Sequence, residues 1–354
     1  MVTLRYDVDR DELAALLDDE PRYRVDQVWT GLHEQLAGPA ELTSLPKRLR
    51  ERLATALPEG LTPVTEAIAD DGDTVKWLWT LRDGARVETV LMRYPDRSTV
   101  CVSSQAGCAM ACGFCATGQA GFSRHLTSGE IVEQVVRAAR RARDDGHRLG
   151  NVVFMGMGEP LANFDATWSA IHRIHDDLGL GARRITVSTV GIVPGIRRLA
   201  AADLPVNLAV SLHAADDELR DRLVPINRRY PLSVLASACA DHVAVTGRRL
   251  SFEWALIDGV NDRPVDATRL ATYARDLRAH VNLIPLNPTP GYPTRGTPRA
   301  GVRAFRDRLR DLGVNVTVRD TRGRDIDAAC GQLAAGSRLA DPVRRDREDP
   351  RRTR

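Results

Sequence analysis

The chain has 354 residues, 43% hydrophobic and 27% charged, a balance that suits a globular protein with one large catalytic domain and a small accessory one. Met1 to Arg10 carry charges where an export signal needs an apolar run, and no stretch of about 18 apolar residues occurs, so no membrane association and a cytoplasmic location are expected. A net charge of +3 says little about a nucleic-acid partner, and with Lys47 and Lys76 the only lysines among fifty basic residues, the arginine excess fits a GC-rich genome better than selection for RNA contacts.

In chain order, residues 11–17, 25–33 and 49–57 repeat apolar positions at helical spacing and are broken by Pro21, Gly38-Pro39 and Pro46, which predicts a small helical domain over 1–72. Residues 74–81 and 86–93 then alternate as strands around Asp83-Gly84, a hairpin signal, and 73–97 reads as a linker between domains. From residue 98 short Val, Ile and Leu runs recur as strand candidates at 99–103, 151–155, 184–188, 206–211, 250–256 and 281–286, with helical periodicity between them. Six such units predict an α/β fold with a partial (β/α)6 TIM-like barrel over 98–335, and 314–318 is a further strand. The charged, apolar-poor residues 336–354 are expected to be disordered.

The first barrel strand is followed by Cys108, Cys112 and Cys115 in a glycine-rich run. Three thiols in eight residues suit an iron–sulfur cluster, leaving one iron open where a cubane normally takes four cysteines, or a zinc site completed by His125. A buried helix face with the same i, i+4, i+7 spacing is a third reading, disfavoured by the flanking Gly and Ser. In a reducing compartment the six cysteines point to metal or catalytic chemistry rather than to a disulfide framework. Polar residues that fall at the carboxyl ends of the later strands are Gly158-Glu159, Ser188, Ser211-Leu212-His213 and Asn287, as one barrel site requires. Glu159 can accept hydrogen bonds from the amino group of a bound amino acid, with Gly156 and Gly158 leaving room for close approach of that ligand. Cys101, Cys239 and Cys330 taken singly read as buried small residues.

The Cys-x3-Cys-x2-Cys spacing with Phe114 before the last cysteine resembles the signature of the radical S-adenosylmethionine (SAM) enzymes, and the runs 103–108 and 114–122 resemble the RlmN family within them. The resemblance extends from about Tyr23 to Leu333 and includes Ser211-Leu-His-Ala and Pro285-Leu-Asn-Pro. It implies a barrel of the radical SAM type and methylation at C2 of adenine in 23S rRNA and tRNA. It also implies a [4Fe-4S] cluster on Cys108, Cys112 and Cys115, with Gly158, Glu159, Ser188, Ser211, Leu212, His213 and Asn287 at SAM-binding positions. Two SAM molecules per turnover, an RNA-binding amino-terminal domain and a flavodoxin-type electron donor come with it. Cys330 corresponds to the cysteine that carries the methyl group, Cys101 to the one that resolves the intermediate through a transient disulfide, and Glu88 to the proton acceptor. A monomer is expected; His125, His172, His175, His242 and Cys239 are given no role, the last being core. A Cfr-like enzyme, methylating C8 of the same rRNA adenine, shares these cysteines, and a non-catalytic zinc or RNA-binding protein is the rival from another class.

Overall fold

The computed structural model describes residues 3–289, 291–292, 294–319, 322–329 and 331–333, with only the backbone of Arg324. Cys330 and the charged tail expected after residue 335 lie outside the described residues.

Helices α1 (Arg10–Leu16), α2 (Tyr23–His33) and α3 (Lys47–Ala56) stand where the periodicity predicts them, and Leu13, Val28, Leu32, Leu49 and Leu53 on their apolar stripes are buried. Asp9 starts α1 by accepting from the backbone of Glu12, whose own carboxylate accepts from Asp9 N. The expectation of helix alone up to residue 72 is corrected by strand β1 (Leu61–Ala69). It pairs antiparallel with β2 (Thr74–Leu81), which turns through Gly84 at φ +86° into β3 (Arg86–Tyr94). β3 in turn pairs antiparallel with β4 (Arg97–Cys101), setting Val90 opposite Cys101. The hairpin expected to link two domains is therefore hydrogen-bonded into the main sheet.

Beyond β4 come β5 (Gln105–Gly107), α4 (Ala116–Ala120), β6 (Phe122–His125), α5 (Ser128–Asp144), β7 (Leu149–Phe154) and α6 (Phe164–Asp176). They are followed by β8 (Ile185–Thr189), α7 (Val193–Ala200), β9 (Asn207–Ser211), α8 (Asp217–Leu223), α9 (Leu232–Thr246) and β10 (Ser251–Leu256). The series ends with α10 (Pro264–Asp276), β11 (His280–Pro285), α11 (Arg299–Asp311) and β12 (Val316–Val318). The ten-stranded sheet runs β1-β2-β3-β4-β7-β8-β9-β10-β11-β12, and every pair from β4 to β12 is parallel. β4 and β7 to β11 are the six expected barrel strands; β12 adds a seventh. Between helices and barrel interior, residues such as Val187, Val210, Phe252, Trp254 and Leu283 are fully buried, as parallel strands covered on both faces require.

The amino-terminal module sits against α5 and α6. Arg173 donates to the carbonyls of Tyr6, Asp7 and Val8, while the Asp7 carboxylate accepts from Thr127, Ser128 and Gly129 at the start of α5. Trp29 Nε1 reaches Asp177 Oδ1 at 3.0 Å. None of the described helices is long and apolar enough to cross a membrane.

Candidate active site

The loop after β4 carries the three thiols at the carboxyl end of the sheet, where barrels of this kind place their chemistry. Residues 108–115 form turns, so the helix-face reading falls. Cys108 N donates to Gly121 O at 2.8 Å, and Cys115 N to Cys112 O at 3.1 Å. Gln119 clips the loop to the one after β11, donating to Gly113 O at 2.7 Å and accepting from Gly291 N at 3.1 Å. A Cβ at Gly118 would stand 2.8 Å from Cys112 O, so only glycine lets α4 lie this close to the loop.

All three cysteines line a cavity of about 990 Å³, counting its part open to solvent, together with Phe114, Gly156, Gly158, Glu159, Ser188, Ser211, His213 and Glu253. A largely apolar wall with a few polar groups converging on it suits a cofactor. Burial, then the charges of its neighbours, pushes the Cys108 thiol up to about 12 and raises Cys112 further in the same direction. Buried thiols that repel one another become thiolates only against a cation, which fits them as ligands of a metal centre. Among the described residues no three His, Cys, Asp or Glu side chains converge as a single metal ion would require. A four-iron cluster asks each thiolate to reach a different iron instead. His125, the candidate fourth zinc ligand, does not line the cavity: its Nδ1 lies 3.0 Å from Gln105 Nε2 across the β5–β6 pair.

Glu159 is part of the same wall lining. Its carboxylate accepts from Leu161 N at 3.0 Å and Val190 N at 2.8 Å, and its own N–H donates to Gln105 Oε1 at 2.8 Å. Burial raises its pKa to about 7, the amides of Val190 and Leu161 holding it from going further. Gly156 and Gly158 line the cavity, and their bareness also serves a contact within the chain. A Cβ at Gly156 would meet Val102 O at 2.6 Å, and one at Gly158, whose φ is +103°, would meet Gln105 N at 2.7 Å. The glycines admit the segment that leads to the cysteines, although both also line the cavity.

Ser188 and Ser211 meet at 3.5 Å between their hydroxyls. His213 takes a left-handed φ of +56°, held by Asn261 Nδ2 on its carbonyl at 2.8 Å and by Ala255 N on its Nδ1 at 2.9 Å. Nδ1 thus accepts, the ring proton is assigned to Nε2, and burial, with Arg220 second, lowers the pKa to about 3. Leu212 stands apart: its side chain is in the core, its N–H donates to Glu253 O and its carbonyl accepts from Arg220 Nε. Arg220, fully buried, also donates to Val190 O at 2.7 Å, Asn227 Oδ1 at 2.9 Å and Ser211 O at 3.3 Å, tying together the loops after β8 and β9. Nothing in the sequence marks it among the many arginines; Gln105, Gln119, Glu253 and Asn261 were missed likewise.

A second cavity adjoins the first, sharing Cys115, Thr117, Met155, Gly156, Ile284 and Gly331 as common walls. It is lined by Cys101, Asn287 and Arg319, and by Ala329 and Gly331 from either side of position 330. The flanks of that position are fastened to the cysteine loop, Ala116 N donating to Gly331 O at 2.8 Å and Thr117 Oγ1 to Leu333 O at 2.6 Å. Glu88, on β3 two residues before Val90, is 1% exposed and ion-paired with Lys76 at 3.2 Å. Cys239 is buried in α9 within the core.

Residues 102–271 match the radical SAM superfamily. The chain is 55% identical to a probable dual-specificity RNA methyltransferase RlmN of Parafrankia sp. (strain EAN1pec), over 93% of this chain and 91% of that one. It is 49% identical to the protein of the same name from Roseiflexus castenholzii, over 94% and 96%. Among solved structures, a radical SAM methyltransferase from Sphaerobacter thermophilus superposes with a TM-score of 0.91 at 53% identity, covering 94% of this chain and 99% of that one.

Proposed function

Since the chain belongs to the RlmN family of radical SAM dual-specificity RNA methyltransferases, we propose that it methylates C2 of adenine in 23S rRNA, at the peptidyl-transferase centre, and of the tRNA adenine just 3′ of the anticodon. The observation that carries this reading is the pair of adjoining cavities, one lined by Cys108, Cys112 and Cys115 with Glu159, Ser188, Ser211 and His213, the other by Cys101 and both neighbours of Cys330. A methyl donor beside a cluster and a thiol beside a methyl carrier are the two things the reaction needs.

Cys108, Cys112 and Cys115 would hold the [4Fe-4S] cluster, leaving one iron open. Glu159 would accept from the amino group of SAM, His213 Nε2–H would donate from the same lining, and Gly158, Ser188, Ser211 and Asn287 would complete the contacts. Leu212 would act from behind, through the backbone bonds that hold its neighbours. SAM, two molecules per turnover, would supply the methyl group that Cys330 carries and the one-electron chemistry required because C2 of adenine is not nucleophilic: a hydrogen atom would leave the Cys330 methyl group before its carbon joins C2, and the odd electron left on the adduct would return to the cluster. Once the methyl carbon of Cys330 is joined to C2, Glu88 accepts the C2 proton. The Cys101 thiolate then attacks the Cys330 sulfur: an S–S bond forms, the S–C bond breaks, and its electron pair passes to the carbon, which takes a proton to become the methyl group. The disulfide is transient and is reduced before the next turnover. A flavodoxin-type protein serves as electron donor, and the enzyme works as a cytoplasmic monomer.

The test is anaerobic reconstitution with iron and sulfide, followed by incubation with methyl-labelled SAM, reductant and a 23S rRNA fragment or tRNA. Wild type is expected to give 5′-deoxyadenosine and 2-methyladenosine, C330A no methylated base, and C101A a trapped protein–RNA adduct. An 8-methyladenosine product would move the assignment to the Cfr-like reaction; a colourless protein holding zinc would end the radical reading.

A further inference from the structure

Of the two lysines in this arginine-rich chain, Lys47 is 82% exposed in its side chain, whereas Lys76 is 2% exposed in the interior. Its ammonium lies 3.2 Å from Glu88 Oε1 and donates to Asp327 O, also at 3.2 Å. Asp327 takes a left-handed φ of +51°, and its carboxylate accepts from Gln332 Nε2, which also holds Pro288 O. One buried ammonium therefore touches both the carboxylate read as proton acceptor and the segment that leads to Cys330. Resting on that reading of Glu88, we infer that Lys76 is a positioning residue for deprotonation of the RNA adduct: it keeps Glu88 ionised and seats the 322–329 turn beside it.

Two physical points carry the inference. A carboxylate at 1% exposure is ionised only when a partner offsets its lost hydration, and a base must be ionised to accept a proton. An ammonium is also a compact charge that can serve two acceptors from the narrow space between β2, β3 and the turn, where a planar guanidinium is pre-set for fork-like pairing. In the step concerned the C2–H bond of the adduct breaks, its electron pair stays in the adenine ring and its proton passes to Glu88; Lys76 exchanges nothing. Among the described residues, Asp327 meets the pair through its carbonyl, and the ionisable groups lining the cavity on the Val90 side of β3 are Cys101 of β4, Cys115 of the cysteine loop, Arg319 beyond β12 and Arg322 of the carboxyl-terminal segment.

The test uses the reconstituted full-length enzyme with a 23S rRNA fragment, following 5′-deoxyadenosine, the covalent protein–RNA adduct on denaturing gels, and the decay rate of that adduct between about pH 6 and 9. K76M is expected to make 5′-deoxyadenosine within about threefold of wild type while its adduct decays about tenfold more slowly near neutrality, the acid limb moving up by about one pH unit. K76R, which keeps the charge but not the compact shape that serves both acceptors, is expected to leave that limb in place while lowering the adduct decay rate at its plateau, and it carries the test should K76M not fold. E88Q is expected to hold the adduct at every pH. Adduct decay in K76M at the wild-type rate with an unmoved limb overturns the inference, as does a K76R limb displaced like that expected for K76M, or a K76M protein that loses 5′-deoxyadenosine and adduct together. Should E88Q accumulate no adduct, the base assignment itself fails and takes the inference with it, a result distinct from E88Q trapping while K76M does not.

Discussion

Arg220 donates to acceptors on two loops at once, so its loss is felt in the cavity wall rather than at one bond. R220M leaves Val190 O and Asn227 Oδ1 without their donor, at about 1–3 kcal/mol each, takes one of two donors from Leu212 O, which keeps Ala214 N, and recovers part of this by no longer burying a guanidinium. A loss of about 3 kcal/mol in urea unfolding is expected; a change below about 0.5 kcal/mol would show the loops held by something else. Glu159 gives a pH signature. Its pKa is about 7 in the folded chain against 4.5 as the ordinary value, so the folded state keeps a proton that the unfolded state has already released. The stability from this group is therefore complete below about pH 4.5 and is lost as the pH rises through 7, by about 3 kcal/mol in all. Urea midpoints of the cluster-free protein should fall less steeply over that window in E159Q than in wild type; parallel slopes would contradict the assignment. At this scale the cysteines and the strand-end polar residues were legible because few residue types do their chemistry. Arg220 was not, since an arginine with four carbonyl and amide acceptors looks in sequence like one facing solvent.

Among the elements, the barrel strands were readable because burial on both faces demands unbroken apolar runs such as Val206–Ser211. β1 escaped for the opposite reason. It is an edge strand whose residues after Leu61 are mostly exposed, and Pro63 sits at the register shift opposite Trp79, where a missing N–H costs no ladder bond. β5 and β6, of three and four residues, are too short to show any period. The cysteine loop keeps its shape through contacts that a single methyl group can break. G118A forces a Cβ to 2.8 Å from Cys112 O and should cut the iron bound after reconstitution by half or more, with little change in far-ultraviolet circular dichroism. Full iron loading in G118A would mean that the loop has more play than its backbone bonds imply.

On the scale of the whole molecule, the antiparallel strands and the parallel barrel share one sheet, and the amino-terminal helices pack into the same core, so the helical segment is braced against α5 and α6. The bonds that fasten the residues around position 330 have a further consequence, in time. Thr117 and Leu333 are 216 residues apart, Lys76 and Asp327 are 251 apart, and Gly323 N reaches Asp70 across 253. Contacts of such separation carry the largest loop-closure entropy in the fold and form after the local strand–helix units. In pulse-labelled hydrogen exchange during refolding, the amides of Ala116 and Gly323 should gain protection later than those within β10 and β11; simultaneous protection would refute this order. On a ribosome, residues 322–333 leave the exit tunnel after the barrel strands are already outside it, so the cysteine loop spends part of synthesis without its cover. That interval is a window in which iron and sulfide can be delivered to an open nest of thiols, before the last stretch of the described chain docks and shuts the door.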